Sequence, residues 1–265
     1  MHRYYEDINH FEYIGDESGG TAECIWLRNG IDIYLWKGEM FEDARMHELI
    51  AHDIAVSLGI PVAEYRLAQY QGSLGVLSKN ISSYGYTLLN IQEAYPHFLL
   101  INEGYALESF LEYWSTDGYL KFGMSGSAVT RMILFDYLVN NGDRHFMNIG
   151  INSATGNIAH LYDHGASFSN IGIEYHTMLY NIETREKVLS SHLLEHMYSK
   201  LGMFFVNEMI KFCLDCSKIN IYDILISLEK ILGSFKNENY QDKIPAMLDE
   251  KITEFQSFIK TKLEV

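Results

Sequence analysis

The chain has 265 residues, 48% hydrophobic and 14% aromatic with 3 prolines, a composition that can bury a core and is unlike that of a disordered chain. Its 20 basic and 35 acidic residues give a net charge of -15. With no run of Lys or Arg anywhere, this argues against direct binding to nucleic acid or to an anionic membrane. Three cysteines (Cys24, Cys213 and Cys216) make a poor disulfide framework and suit a reducing compartment. Met1–Phe11 is polar with no apolar leader, and no apolar stretch approaches the roughly 20 residues of a membrane span, so a cytoplasmic protein is expected.

In chain order, Gly15-Asp16-Glu17-Ser18-Gly19-Gly20-Thr21 is a glycine-rich loop before a strand, without the Lys-Ser/Thr ending of a Walker loop. Glu23–Leu27 reads as a strand, and Arg28-Asn29-Gly30 as a hairpin turn. Ile31–Lys37 then alternates, with Ile31, Ile33, Leu35 and Lys37 on one face and Asp32, Tyr34 and Trp36 on the other. Residues 42–58 read as an amphipathic helix begun by Glu42 and Asp43 and stopped by Gly59 and Pro61. Inside it, His47 and His52 stand five apart, not the four that would put both imidazoles on one face of a zinc-binding helix. Val62–Ala68 and Leu74–Ser78 complete a small sheet around the turn Gln69–Gly72.

From about Asn80 the pattern turns helical, over Leu107–Trp114, Ala128–Val139, Val188–Lys200, Met203–Cys216, Ile221–Leu232 and Ile244–Ile259. Cys213 and Cys216 fall inside one of these helices and read as core thiols, since no second ligand pair accompanies them. Asn148–Asn152 and Ile158–Tyr162 interrupt the helices as a β-hairpin turning at Ser153–Asn157.

The chemistry concentrates in Asn140-Asn141-Gly142-Asp143-Arg144-His145-Phe146-Met147-Asn148 and in Leu161-Tyr162-Asp163-His164-Gly165. A phosphoryl-transfer loop places an Asp near the acceptor hydroxyl and an Asn five residues later on magnesium, and a second loop of the form Asp-x-Gly supplies another metal ligand. Asp143 and Asn148 have that spacing, and Asp163-His164-Gly165 has that form across the hairpin. Singly, each has an ordinary explanation as turn or strand-start chemistry. Their joint order favours kinase chemistry.

These two runs, with Tyr162-Asp163-His164-Gly165-Ala166-Ser167 for the second, resemble those of HipA-like bacterial serine/threonine kinases. The Asp-Arg-His-x-x-Asn order also resembles the phosphatidylinositol kinases, and differs from the His-Arg-Asp order of eukaryotic protein kinases. The resemblance covers most of residues 11–170 and is closest to shorter members without HipA's extra N-terminal subdomain. It implies an α+β, two-lobed protein-kinase-like fold: a β-rich N-lobe over residues 1–80 and a larger, mostly helical C-lobe over residues 81–265.

Carried onto this chain, the resemblance makes Lys37 the lysine that meets the α/β-phosphates of ATP and sets Leu35 against the adenine. Glu48 is the acid that pairs with Lys37. The loop containing Ser18, Gly19 and Gly20 covers the phosphates, with Ser18 and Thr21 as candidate autophosphorylation sites. Asp143 orients the acceptor hydroxyl, Asn148 and Asp163 hold Mg2+, and Arg144 and His145 brace the catalytic loop, with His145 as an alternative base. Protein substrates such as a translation factor or an aminoacyl-tRNA synthetase, and a DNA-binding antitoxin partner in a toxin-antitoxin pair, are implied in the same way. A phosphoinositide or small-molecule kinase is an alternative, although it calls for a basic substrate surface. An inactive pseudokinase acting as a binding module is another, against which the full set of Lys37, Asp143, Asn148 and Asp163 speaks.

Overall fold

Six strands from the first 79 residues form one sheet in the computed structural model, which describes residues 5–16, 24–38, 42–90, 93, 114, 125–141, 144, 148–168, 190–232 and 240–264. They are β1 (Glu6–Asp7), β2 (Glu12–Asp16), β3 (Cys24–Asn29), β4 (Asp32–Lys37), β5 (Tyr65–Tyr70) and β6 (Ser73–Lys79), with helix α1 (Glu42–Ser57) between β4 and β5. Across the sheet the order is β1-β5-β6-β4-β3-β2, with β1 parallel to β5 and every other pairing antiparallel.

Turn chemistry sets the hairpin registers. Between β5 and β6, Gln71 and Gly72 take φ of 49° and 85°, the paired positive values of a two-residue hairpin turn whose twist matches the strands. Between β3 and β4, Asn29 pairs with Asp32 across Gly30 at φ 63°. Ile31, expected to open the strand on the Lys37 face, instead sits in this turn, 97% exposed.

Both faces of the sheet are covered. Leu67 and Val76 join the main core with α1, whereas their neighbours Ala68 and Leu77 join a second cluster with Ile8, Phe11, Ile25, Leu27 and Trp36. The Asp32–Tyr34–Trp36 face is thus capped by residues in and around the short β1. Gly75 lets the Trp36 indole lie across the sheet and donate to the Ala68 carbonyl at 3.3 Å; a Cβ there would collide with the indole and with the Lys37 carbonyl. Pairing with Val76 puts Lys37 on the opposite, α1-side face, with Leu35 and Ser78.

The rest of the described chain is mostly helical: α2 (Gly126–Leu138), α3 (Ser190–Leu201), α4 (Met203–Cys216), α5 (Ile221–Leu232) and α6 (Tyr240–Leu263). Ser125 caps α2 by accepting from the Ala128 N–H, and every residue from Met132 to Leu138 is buried, Asp136 included. α4 and α5 have the bounds their periodicity predicts. α6 starts before and ends after the expected Ile244–Ile259, with Pro245 buried inside it. Of the expected helix Leu107–Trp114, only the buried Trp114 lies among the described residues.

The expected hairpin forms, with the Asn152 N–H donating to the Asn157 carbonyl and the Ala159 N–H to the Gly150 carbonyl, both at 2.8 Å, and it gains a further partner. β8 (Gly150–Asn152) pairs antiparallel with β7 (Leu88–Asn90), and Ile151 bridges Ile158. Leu161 leaves that hairpin to bridge Val62 in parallel, accepting from the Ala63 N–H at 2.8 Å and donating to the Pro61 carbonyl at 2.9 Å. This stitch carries Asp163 beneath the sheet. Among the described residues, no helix is long and apolar enough to cross a membrane.

Candidate active site

Lys37 ends β4 with its ammonium pointing between a helix and a loop. Its Nζ donates to Glu48 Oε1 on α1 and to Asp163 Oδ1, both at 2.8 Å. Glu48 spends its second oxygen on the loop, with Oε2 accepting from the His164 N–H at 2.9 Å. Tyr65, buried on β5, accepts from the Asp163 N–H at 3.0 Å. Asp163 has φ 58°, a left-handed conformation that costs a non-glycine residue of order 1–3 kcal/mol and persists where surroundings over-determine it. Here Lys37, Tyr65 and Glu48 supply those constraints.

The electrostatics follow from this geometry. Burial opposes the Lys37 charge, but the Asp163 and Glu48 carboxylates outweigh it and hold the lysine well above its ordinary pKa. The Lys37 ammonium pulls Asp163 down to about 2, against opposing burial and with help from Arg144, so the loop presents a carboxylate at any physiological pH. Glu48 is sealed at 3% exposure, whereas the side chains of Lys37 and Asp163 remain 22% and 39% open. The two groups able to meet a ligand are the exposed pair, and the third fixes them.

Arg144 holds the helical side together. It is 2% exposed and commits all five donors: Nε and one terminal nitrogen form a fork onto Asp136 of α2 at 2.8 and 3.0 Å, the other terminal nitrogen meets the Asn148 and Tyr162 carbonyls at 2.5 and 3.0 Å, and the last N–H reaches His164 Nε2 at 3.0 Å. Asp136 also takes the Asn141 amide at 3.0 Å. One guanidinium therefore ties the carbonyl of Asn148 to that of Tyr162, next to Asp163. Because an arginine only donates, His164 Nε2 accepts and the ring carries its proton on Nδ1, a buried atom with no partner among the described residues. Burial, then the neighbouring Arg144 charge, hold His164 well below the ordinary histidine range, so it is neutral.

The structure brings Lys37, Glu48 and Asp163 into contact, links Asn148 to the Asp163 loop through Arg144, and leaves Leu35 half-buried on the Lys37 face. Ser18, Gly19, Gly20, Thr21, Asp143 and His145 lie outside the described residues. His47 turns to the Gly165 carbonyl and Tyr240, and His52 to Asp53. Cys213 and Cys216 are free thiols packed with the core, pushed up by burial to about 11 and about 12.

Sequence reasoning missed Tyr65, Asp136 and His164 as parts of the site. Asp136 had a signal: one acid in the otherwise apolar run Met132–Leu138 requires a buried cation. Tyr65 had none, because its partner is 98 residues away.

The donor set fits a hard divalent cation. Asp163 offers an anionic, partly open carboxylate, and Asn148 is fixed nearby by its own carbonyl. Magnesium binds one or two protein oxygens and keeps water and phosphate oxygens for the rest, so it does not require the cluster of three acidic, His or Cys ligands that is absent among the described residues.

No protein-family model matches the chain, and no curated protein matches its sequence. Solved structures do. The proinflammatory kinase CtkA of Helicobacter pylori superposes with a TM-score of 0.76 at 16% identity, covering 98% of each chain. HipA of Shewanella oneidensis MR-1, solved in a toxin-antitoxin complex with HipB and operator DNA, superposes at 0.54 with 12% identity, covering 96% of this chain and 66% of that one. At such identities the likeness speaks to architecture. The chain has the two-lobed, α+β protein-kinase-like fold, and Lys37, Glu48 and Asp163 meet where its sheet, α1 and the loop after the hairpin converge.

Proposed function

We propose that the chain is a phosphotransferase that uses ATP and Mg2+ to phosphorylate a serine or threonine hydroxyl of a protein. One observation carries the reading: an ammonium held 2.8 Å from each of two carboxylates, one sealed in a helix and one partly open on a loop 126 residues further on. Two of the three Lys37 donors are spent there, and among the described residues none takes the third, which suits a phosphate oxygen.

In this reading Lys37, steadied by Glu48, meets the α/β-phosphates, Leu35 faces the adenine, and backbone amides of Ser18, Gly19 and Gly20 close over the phosphates. Asn148 and Asp163 would hold the magnesium, which would supply positive charge to offset that of the phosphates. Asp143 takes the proton of the attacking hydroxyl as its oxygen bonds to the γ-phosphorus and the bond to the ADP oxygen breaks. Arg144 positions this machinery and does not touch substrate. The work is positioning and electrostatics, which the pre-arranged charges around Lys37 supply without reorganisation.

A protein acceptor agrees with the net charge of -15, which opposes an anionic phosphoinositide. The likeness to HipA extends the reading to a DNA-binding partner, the route by which so acidic a chain would reach DNA. Radiolabelled ATP, Mg2+ and a cell extract test the activity. Wild type labels protein on Ser or Thr, and Asp163→Ala reduces labelling at least about hundredfold. Equal labelling by both overturns the reading, and label in lipid rather than protein overturns the acceptor class.

A further inference from the structure

Glu48 is not the only α1 side chain that grips the Asp163 loop. The preceding residue, His47, is 6% exposed and reaches the Gly165 carbonyl through Nδ1 at 3.0 Å, and Tyr240 Oη through Nε2 at 3.1 Å. Chemistry orients this chain. A carbonyl can only accept, so Nδ1 carries a proton. In the neutral ring Nε2 then accepts, and the Tyr240 hydroxyl donates to it. The His47 ring also packs edge-on against Phe168 (centroids 5.5 Å) and Tyr240 (5.9 Å), both of which are buried. Phe168 donates its backbone N–H to Val139 at the end of α2 at 2.7 Å.

Two consecutive α1 residues therefore bond two consecutive loop residues: Glu48 to the His164 N–H and His47 to the Gly165 carbonyl. The Glu48 limb continues to Lys37 on the sheet, and the His47 limb continues to Tyr240, the first residue of α6. We infer that His47 is a positioning residue for the Asp163 loop, and that through the Tyr240 hydroxyl it couples the loop to the start of α6. The Asp163 loop is strained at φ 58° and needs constraint from every side; Lys37, Tyr65 and Glu48 hold its front and His47 its back. The inference rests on the proposed function only for its effect on turnover.

The test uses the full chain and the conservative change Tyr240→Phe, which removes one hydroxyl and keeps the ring. His47→Asn keeps an N–H where Nδ1 stands and loses the limb to Tyr240; His47→Leu loses both limbs. Hydrogen exchange of residues 161–168, in nucleotide-free protein, reports the coupling directly. It should accelerate about tenfold in Tyr240→Phe and His47→Asn and more in His47→Leu. Adding Tyr240→Phe to His47→Leu should bring no further change, because the bond is already gone. The control Tyr222→Phe, on an exposed α5 residue outside the site, should leave exchange at the wild-type rate.

In phosphoryl transfer, Tyr240→Phe should lower kcat about fivefold with KM for ATP unchanged. Loop exchange at the wild-type rate in both Tyr240→Phe and His47→Leu overturns the inference, even where melting temperatures fall. Accelerated exchange in a wild-type background that transfers no phosphate upholds the coupling and overturns the kinase reading instead.

Discussion

Lys37 on the sheet side of the site and Arg144 on the helical side are both cations paired with carboxylates, and they are held in different ways. Lys37 keeps 22% of its side chain open, uses two of three donors on described residues, and pairs with Asp163, which is itself 39% open. Arg144 is 2% exposed, with all five donors taken by one acid, two carbonyls and one imidazole. A guanidinium fork loses little freedom on forming a rigid, multidentate brace, whereas an ammonium on a flexible stem can exchange partners. Residue type and burial together thus separate a cation left partly open, able to exchange partners, from one fixed through every donor.

Breaking the brace should cost most. Arg144→Leu leaves the Asp136 carboxylate in the core with, among the described residues, the Asn141 side-chain amide alone, so stability should fall by about 3–5 kcal/mol, read as a lower midpoint in guanidinium unfolding. Lys37→Met should behave in the opposite sense. Glu48 keeps the His164 N–H, so the stability loss should be about 1–2 kcal/mol, while phosphoryl transfer falls at least about hundredfold. Equal destabilisation by the two variants would erase the distinction.

The acid side of the pH profile sharpens the same contrast. His164 is buried and neutral in the fold, with its pKa well below the ordinary value near 6.5, and free to protonate when unfolded. Its contribution is therefore complete above about pH 6.5 and is lost at about 1.4 kcal/mol per unit as pH falls below it. His164→Gln, whose carbonyl oxygen can still take the Arg144 N–H, should flatten stability between pH 6.5 and 5 relative to wild type. Asp163 titrates later and more weakly, being 39% open. Its pairing with Lys37 holds it at about 2, so its contribution is present above about pH 4 and goes as pH falls through 2. Wild type should lose an increment there, in urea unfolding, that Asp163→Asn lacks.

What the sequence revealed follows the range of the interactions. Asp163 was visible from a local Asp-x-Gly, a signal that spans a few residues, whereas Lys37, at the end of an alternating strand, and Glu48, on the helix that follows, were singled out through the family resemblance. α4 and α5 were legible for the same reason, since each is an amphipathic run with clear stops. The second core under Trp36 was hidden: β1 has two residues, too short to signal a strand, and pairs with β5 some 60 positions on. The β7–β8 ladder and the Val62–Leu161 bridge were hidden too, and these pairings join the expected hairpin in bringing Asp163 to Lys37. Ile31 misled because alternation continues unbroken into a turn that Gly30 shifts by one residue.

Gly165 gives the smallest expected effect and separates holding from working within a single residue. The Asp-x-Gly form suggests a glycine required by its backbone, yet Gly165 does not occupy the left-handed region, and a Cβ there would meet Ala44 Cβ at 3.5 Å and Glu48 Cγ at 3.9 Å, ordinary packing distances. Gly165→Ala should therefore leave stability within about 0.5 kcal/mol of wild type, with the loss of unfolded-state freedom offsetting slight crowding, as measured by thermal unfolding. A larger loss would mean that the α1–loop contact is tighter than these distances imply. If stability holds while phosphoryl transfer drops, the working loop must visit a backbone conformation that only glycine reaches, and the glycine serves the motion of the loop rather than its resting fold.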